Sequence, residues 1–183
     1  MTAMNFELVI HALLEILEGQ QIRYGVVGGF ALGLLGVPRA TMDVDLLVHR
    51  DDLARLDEAL RRVGFQRVVS TENVSHYEHS DAVWGSIDVL HAFRPHALGM
   101  LTRTRGVALF DRTIRVLQPE DIIGLKVQAM ANNPLRAAKE QVDIESLVEA
   151  YSATLDWTRI KEYFDLFEMS ELLERLRKRQ GEA

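Results

Sequence analysis

Hydrophobic residues follow a helical period at the start of the chain and a strand period soon after it. Apolar positions spaced three and four apart predict a helix over residues 6–20. The apolar, β-branched stretch Tyr24–Val27 predicts a strand that runs directly into Gly28 and Gly29. The small apolar residues 30–35 then predict a buried helix. A strand, a glycine pair and a helix are therefore expected to follow one another without a loop.

Strict alternation of polar and apolar residues predicts the next strand, over residues 42–48. Asp43 and Asp45 fall on one face of this strand, and Val44 and Leu46 fall on the other. Further along, the pattern predicts an amphipathic helix and then five short strands, over residues 51–63, 65–70, 76–79, 85–92, 107–110 and 113–117.

The period becomes helical at Pro119 and stays helical to the end of the sequence. Proline is common in the first turn of a helix, and further helices are predicted over residues 134–150, from residue 156, and over the basic segment at residues 175–179. This order predicts an α+β fold. We expect a mixed-sheet core over residues 1–117, with helices packed on it, and an α-helical region over residues 118–183 packed on that core.

The composition is that of an ordinary globular protein. Of the 183 residues, 48% are hydrophobic and 26% are charged, which suits one domain with a core. No apolar run approaches the roughly 20 residues needed to cross a bilayer, and the first residues lack the features of a secretory signal. We therefore expect a cytoplasmic protein with no membrane partner. The absence of cysteine excludes disulfides and thiolate metal sites, and the net charge of −6 argues against a broad nucleic-acid-binding surface.

Gly28 and Gly29 are the first candidate functional residues. A glycine pair between a strand and a helix exposes backbone N–H groups without a Cβ in the way, and the start of a helix favours negative charge. A phosphate could approach closely there. The alternative is an ordinary tight turn between the two elements.

Asp43 and Asp45 form the second candidate feature. Residues two apart on a strand point to the same side, so the two carboxylates project from one face, roughly 7 Å apart along the chain. Aspartate is depleted in strands, and parallel carboxylates repel each other unless a cation lies between them. Mg²⁺, which prefers oxygen ligands, is the natural candidate. The alternative is an ordinary strand whose aspartates lie on its solvent-exposed face.

Asp88 supplies a third carboxylate, on the short apolar strand SIDVL. If this strand lies beside the one carrying Asp43 and Asp45, three acids converge on one face of the sheet. Such a set could hold divalent cations that bridge a triphosphate, and the third acid could take a proton from an attacking hydroxyl. Without a cation the three charges would destabilise one another.

The segment VGGFALGLLGVPRATMDVDLLV resembles the signature of the polymerase-β-like nucleotidyltransferase superfamily: a strand, a glycine pair, and an Asp-apolar-Asp strand about a dozen residues later. Arg39 and Thr41, in the pattern Arg-x-Thr-x-Asp-x-Asp, are similar to the AbiEii-type branch, which includes toxin nucleotidyltransferases. The helical segment LKVQAMANNPLRAAKEQVDIESL is similar to a further motif of that branch, with matching residues at Lys126, Arg136 and Asp143. The resemblance covers roughly residues 22–150.

This resemblance implies a role for each matching residue. Gly28 and Gly29 would cradle nucleotide phosphates, and Arg39 and Thr41 would contact the triphosphate or orient the first aspartate. The three aspartates would be metal ligands and catalytic groups: Asp43, Asp45 and Asp88.

In the helical motif, Lys126 would neutralise the β- or γ-phosphate and Asp143 would support it. The alternative for Lys126 and Asp143 is a structural salt bridge between helices, and for Arg39 and Thr41 it is solvation in a loop.

Together these features predict an enzyme that transfers a nucleoside monophosphate from a nucleoside triphosphate to an acceptor and releases pyrophosphate, with Mg²⁺ or Mn²⁺ as cofactor. The acceptor could be a protein, a tRNA 3′ end or a small molecule, and an antitoxin partner is implied by resemblance alone. The alternative is a non-catalytic nucleotide-binding or interaction module of the same fold. His76 and His79 are not predicted as joint metal ligands, because residues three apart on a strand face opposite ways.

Overall fold

The structure, a computed structural model, describes residues 4–41 and 43–181. Met42, the first residue of one predicted strand, lies outside the described residues, as do the first three and last two residues of the sequence. The chain divides into two compact units. One comprises Met1–Leu34 and Arg39–Leu117, and the other comprises Leu35–Pro38 and Gln118–Ala183.

The first unit is built on a seven-stranded mixed sheet with the strand order β3-β4-β5-β2-β1-β7-β6. Its strands are β1 (Tyr24–Val27), β2 (Asp43–His49), β3 (Phe65–Ser70), β4 (Val74–His79), β5 (Ser86–Ala92), β6 (Arg105–Leu109) and β7 (Arg112–Val116). Its helices are α1 (Phe6–Gly19), α2 (Gly28–Leu34), α3 (Leu53–Arg62) and α4 (Pro95–Thr102).

Parallel and antiparallel pairs alternate across the middle of this sheet. β2 runs parallel to β5 and antiparallel to β1, while β4 pairs antiparallel with β5. β1 and β7 are parallel neighbours, and the outer hairpins β3–β4 and β6–β7 are antiparallel. The predicted α+β fold with a mixed sheet is confirmed.

The two faces of β2 and β5 differ as the alternation predicts. Val44, Leu46, Ile87 and Val89 are buried, whereas the aspartates between them are only partly buried. Ile87 lines a small apolar cavity together with residues of α1 and α3, among them Val9, Leu13 and Leu60. These two helices therefore cover the apolar side of the central strands, and the other side of the same strands carries the carboxylates.

The second unit is helical: α5 (Pro119–Asn132), α6 (Ala137–Tyr151), α7 (Trp157–Leu166) and α8 (Ser170–Gly181). α5 packs against α6 and α7, and α7 packs against α8. Asp156 was expected to open a helix, and its carboxylate accepts hydrogen bonds from the backbone N–H groups of Thr158 and Arg159, both at 3.1 Å. The short segment Leu35–Pro38 joins this unit, since the Tyr151 hydroxyl donates to the carbonyl oxygen of Leu35 at 2.8 Å.

Some local features differ from the sequence-based expectations. Helix α4 was not predicted, because its eight residues carry no marked amphipathic stripe. The buried helix expected over residues 30–35 begins two residues earlier, so Gly28 and Gly29 form the first turn of α2. Phe110, expected at the end of a strand, lies in the turn between β6 and β7 with φ of 53°. Within the described residues, no helix has the length and apolar character needed to span a membrane.

Candidate active site

Three aspartates come together on one face of the sheet. Asp45 on β2 lies directly opposite Asp88 on the parallel neighbour β5, and Asp43 points to the same side two residues earlier. One carboxylate oxygen from each residue lies within 4.8 Å of the others. All three side chains are partly exposed. The register of two strands far apart in sequence thus produces the cluster expected from the alternating pattern, and we call it the aspartate triad.

Gly28 lies next to the triad. β1 and β2 are antiparallel and Val27 pairs with Asp45, so the residue that follows β1 lies beside the Asp45 carboxylate. Gly28 has φ of +66°, a conformation that L side chains rarely adopt. A Cβ at this position would lie 1.9 Å from Asp45 Oδ2. Glycine is therefore required here both by the backbone and by the carboxylate.

Thr41 holds the first aspartate of the triad. Its hydroxyl donates to Asp43 Oδ1 at 2.5 Å, a short contact of the kind that charge-assisted hydrogen bonds make. Gly29 lies behind it, since a Cβ on Gly29 would be 3.1 Å from Thr41 Cβ and 3.4 Å from Arg39 Cγ. Gly29, Arg39 and Thr41, grouped by the sequence motif, are thus neighbours in the structure.

His76 contacts the triad, and the sequence pattern did not predict this contact. It lies on β4 opposite Asp88, and its Nδ1 is 2.6 Å from Asp88 Oδ1. Its Nε2 is 3.3 Å from Oε1 of Glu78. Burial lowers the pKa of His76, but the hydrogen bonds and charges of Asp88 and Glu78 outweigh burial and raise this pKa above its ordinary value. An imidazolium that donates to both carboxylates fits these contacts.

The expectation that His76 and His79 face opposite ways agrees with the structure: Nε2 of His79 lies 3.2 Å from the backbone carbonyl of Val63, away from the triad. The contact between His76 and Asp88 depends on which strand lies beside β5 and in which register. Periodicity along one strand carries no signal for such a pairing.

Lys126 and Asp143 belong to the second unit, where they form a buried ionic cluster. Lys126 Nζ lies 2.6 Å from Asp143 Oδ2 and 3.0 Å from Glu140 Oε2. Arg136 completes the cluster with a 2.6 Å contact to Glu140 Oε1. Burial raises the pKa of Glu140, but the two cations outweigh burial and lower this pKa below its ordinary value. The resemblance paired Lys126 with Asp143, and the two are in direct contact.

The donor chemistry of the triad fits a hard divalent cation. Mg²⁺ and Mn²⁺ are bound by carboxylate oxygens, and Mg²⁺ usually takes one or two protein carboxylates and fills its remaining positions with water or phosphate oxygens. The triad offers up to three carboxylates on a partly exposed face. A cation held by these carboxylates would be accessible from solvent, because all three side chains are partly exposed.

The sequence matches a family model described as "Uncharacterised nucleotidyltransferase" over residues 2–178. The chain belongs to this nucleotidyltransferase family. Among curated proteins, no sequence matches it significantly.

Solved structures of nucleotidyltransferases share its fold. A crystal structure of ANT(2″)-Ia in complex with adenylyl-2″-tobramycin is 15% identical, with a TM-score of 0.68 over 90% of this chain and 97% of that one. The lincosamide antibiotic adenylyltransferase LnuA with bound lincomycin is 13% identical, with a TM-score of 0.57 over 80% of this chain and 98% of that one. An antigenic nucleotidyltransferase-like protein from Paracoccidioides brasiliensis is 17% identical, with a TM-score of 0.56 over 96% and 94% of the two chains. At these identities the likeness concerns the fold.

Proposed function

We propose that this family member is a Mg²⁺-dependent enzyme that transfers a nucleoside monophosphate from a nucleoside triphosphate to a hydroxyl acceptor. The observation that carries the proposal is the aspartate triad, whose ligand atoms lie within 4.8 Å of one another beside the backbone of Gly28. Three carboxylates on adjacent strands repel one another and destabilise the fold unless a bound cation neutralises their charge. Mn²⁺ is expected to replace Mg²⁺, since both take oxygen ligands.

The reaction needs few chemical groups from the protein. The acceptor oxygen attacks the α-phosphorus, the bond to the β-phosphate oxygen breaks, and pyrophosphate leaves. A bound divalent ion supplies charge neutralisation for the phosphates. Asp43 and Asp45 hold that ion, and Asp88 either shares it or accepts the proton that the acceptor hydroxyl loses. Positioning and charge compensation account for most of the catalysis in such a transfer.

The nucleotide is held by the residues grouped around the glycine pair. Gly28 and Gly29 cradle the phosphates with their backbone N–H groups at the start of α2. Arg39 contacts the phosphates, and Thr41 contacts them or fixes Asp43. The short hydrogen bond from the Thr41 hydroxyl to the Asp43 carboxylate supports the role of Thr41 in fixing Asp43.

We propose the same function for the helical motif as the resemblance implies: Lys126 neutralises the β- or γ-phosphate, and Asp143 positions Lys126. The 2.6 Å contact between Lys126 Nζ and Asp143 Oδ2 supports the positioning role of Asp143. The competing explanation is that the cluster only joins α5 to α6.

A small molecule is the acceptor class to test first. The solved structures with the same fold include one with an adenylylated aminoglycoside and one with a bound lincosamide. A second candidate follows from Arg39 and Thr41, whose spacing before the aspartates is similar to AbiEii-type toxins. In that case the acceptor is a protein or a tRNA 3′ end in the cytoplasm, and an antitoxin protein binds the enzyme.

The test is a pyrophosphate-release assay with ATP, GTP, CTP and UTP, with and without Mg²⁺, in the presence of aminoglycosides, lincosamides or total tRNA. Calorimetric titration of each Mg²⁺–nucleotide complex accompanies it. We expect metal-dependent release with at least one acceptor. Nucleotide binding without release on any acceptor would favour the non-catalytic module.

Asp43→Asn tests the site within the same assay, because the amide keeps the size of the side chain but not its charge. We expect the variant to fold normally and to lose metal-dependent release. Asp51→Asn is the matched control, since Asp51 follows the same strand with 76% of its side chain exposed. Turnover by Asp43→Asn at a near wild-type rate would place the chemistry elsewhere.

A further inference from the structure

The three carboxylates of the triad differ in what fixes their orientation. Asp43 accepts a hydrogen bond from Thr41, and Asp45 lies against the backbone of Gly28. Asp88 has 40% of its side chain exposed. The terminal torsion of an aspartate is broad, so packing alone leaves the plane of the Asp88 carboxylate poorly defined.

His76 supplies the missing constraint from the neighbouring strand. It lies directly opposite Asp88 in the antiparallel pair of β4 and β5, so the two side chains leave the sheet on the same face. The 2.6 Å separation of Nδ1 and Oδ1 is in the range of a strong, charge-assisted hydrogen bond. Glu78, two residues along β4 on the same face, contacts the other ring nitrogen. The imidazole ring is therefore oriented from both ends.

We propose that His76 is a positioning residue for Asp88: it commits one carboxylate oxygen to the imidazole and turns the other toward the shared cation or the acceptor hydroxyl. This inference rests on the proposed function, because the task of Asp88 comes from it. His76 acts through Asp88 and has no other part in the site. Removal of such a hydrogen-bond partner of a metal ligand typically costs 10- to 100-fold in metal affinity or activity.

The first experiment measures Mn²⁺ affinity by electron paramagnetic resonance, which needs no acceptor and no turnover. We expect His76→Ala to weaken Mn²⁺ binding by about 10-fold. His76→Asn, whose amide N–H can reach the position of Nδ1–H, should restore most of the affinity. In the Asp88→Asn background, His76→Ala should cause no further loss, since its partner is already changed.

The matched control is His91→Asn. His91 lies on β5 but its ring faces the other side of the sheet, where Nε2 is 2.9 Å from Ser75 Oγ. We expect its Mn²⁺ affinity to equal that of the wild type. Thermal unfolding of every variant shows whether the fold is intact.

Kinetics provide the second readout. With an active acceptor, His76→Ala should lower kcat by about 10-fold or more and leave the KM for the nucleotide within about 2-fold. Equal Mn²⁺ affinity and kcat in His76→Ala and wild type would overturn the positioning role alone. A separate, additive loss in the Asp88→Asn background would overturn it as well. Wild-type protein that neither binds Mn²⁺ nor releases pyrophosphate would overturn the proposed function and the role of His76 together.

Discussion

At the scale of single residues, the candidate site contains a position that only glycine can occupy. Gly28 is the clearest case, because a Cβ there would lie 1.9 Å from a carboxylate oxygen of Asp45 and the backbone has φ of +66°. Both facts have one consequence: the turn after β1 can approach β2 only if the residue is glycine. The position of Asp45 is thereby linked to the conformation of this turn.

Gly28→Ala is therefore expected to displace the Asp45 carboxylate and to abolish metal-dependent activity, with a loss of stability of at least about 1 kcal/mol from the strained backbone. Pyrophosphate release and urea unfolding measure the two effects.

Gly33→Ala is the matched control for this prediction, because Gly33 lies in the same helix α2 and a Cβ there meets nothing within 4 Å. Alanine is preferred to glycine inside a helix by up to about 1 kcal/mol, so this variant should be active and slightly more stable. Equal activity in Gly28→Ala and Gly33→Ala would contradict the link between Gly28 and Asp45.

At the scale of elements, one buried carboxylate joins the start of α3 to the segment that leads into β1. Asp52 is 1% exposed, and its two oxygens accept hydrogen bonds from Arg23 Nε at 2.8 Å and from an Arg55 guanidinium nitrogen at 2.6 Å. The hydrogen bond from Arg23 is the main reason that the pKa of Asp52 falls to about 2. Because the pKa is lower in the folded state, the pairing stabilises the fold above the ordinary aspartate range.

Acid should remove this stabilisation. It is fully present above about pH 4 and is lost as the pH falls towards 2, and the shift corresponds to about 2 kcal/mol. In Asp52→Asn the residue no longer titrates. The free energy of unfolding of the wild type should thus exceed that of Asp52→Asn at pH 6, and the difference should shrink toward pH 2. A difference that does not depend on pH in urea unfolding would show that Asp52 contributes by packing alone.

Local periodicity predicted most of the strands and helices because most of them have one buried side and one exposed side. The alternation around Asp43, Asp45 and Asp88 was visible for that reason, and the register of β2 and β5 confirmed that the three acids share a face. Pairings between distant segments were not visible. The contact of His76 with Asp88 requires β4 to lie beside β5 in a particular register.

The burial of Asp52 likewise follows from its position beside Arg23, 29 residues earlier. From sequence alone its acidic side chain fits equally well with an exposed first turn of a helix, where it would favour the helix dipole. The tertiary contact with Arg23, and not the local sequence pattern, decides that Asp52 is buried.

At the scale of the whole molecule, the cation is expected to affect stability. All three aspartates lie in the first unit. A ligand that binds only the folded protein raises the free energy of unfolding by about 2.7 kcal/mol when the ligand concentration is 100 times Kd. For a chain of this length, each kcal/mol raises Tm by about 2–4 °C. Saturating Mn²⁺ should therefore raise Tm by several degrees.

Asp43→Asn should remove this rise, and without metal it should unfold no earlier than the wild type, because one of three mutually repelling charges is gone. Differential scanning calorimetry with and without Mn²⁺ measures both effects. A metal-induced rise of equal size in Asp43→Asn would mean that the ion binds elsewhere.

Anomalous diffraction from crystals soaked with Mn²⁺ and a non-hydrolysable nucleoside triphosphate would show directly whether the aspartate triad holds the catalytic cation. We predict an anomalous peak bonded at about 2 Å to carboxylate oxygens of Asp43 and Asp45 and to a phosphate oxygen of the nucleotide. A nucleotide bound with its phosphates away from the aspartates, or Mn²⁺ absent from the triad, would contradict the proposed function.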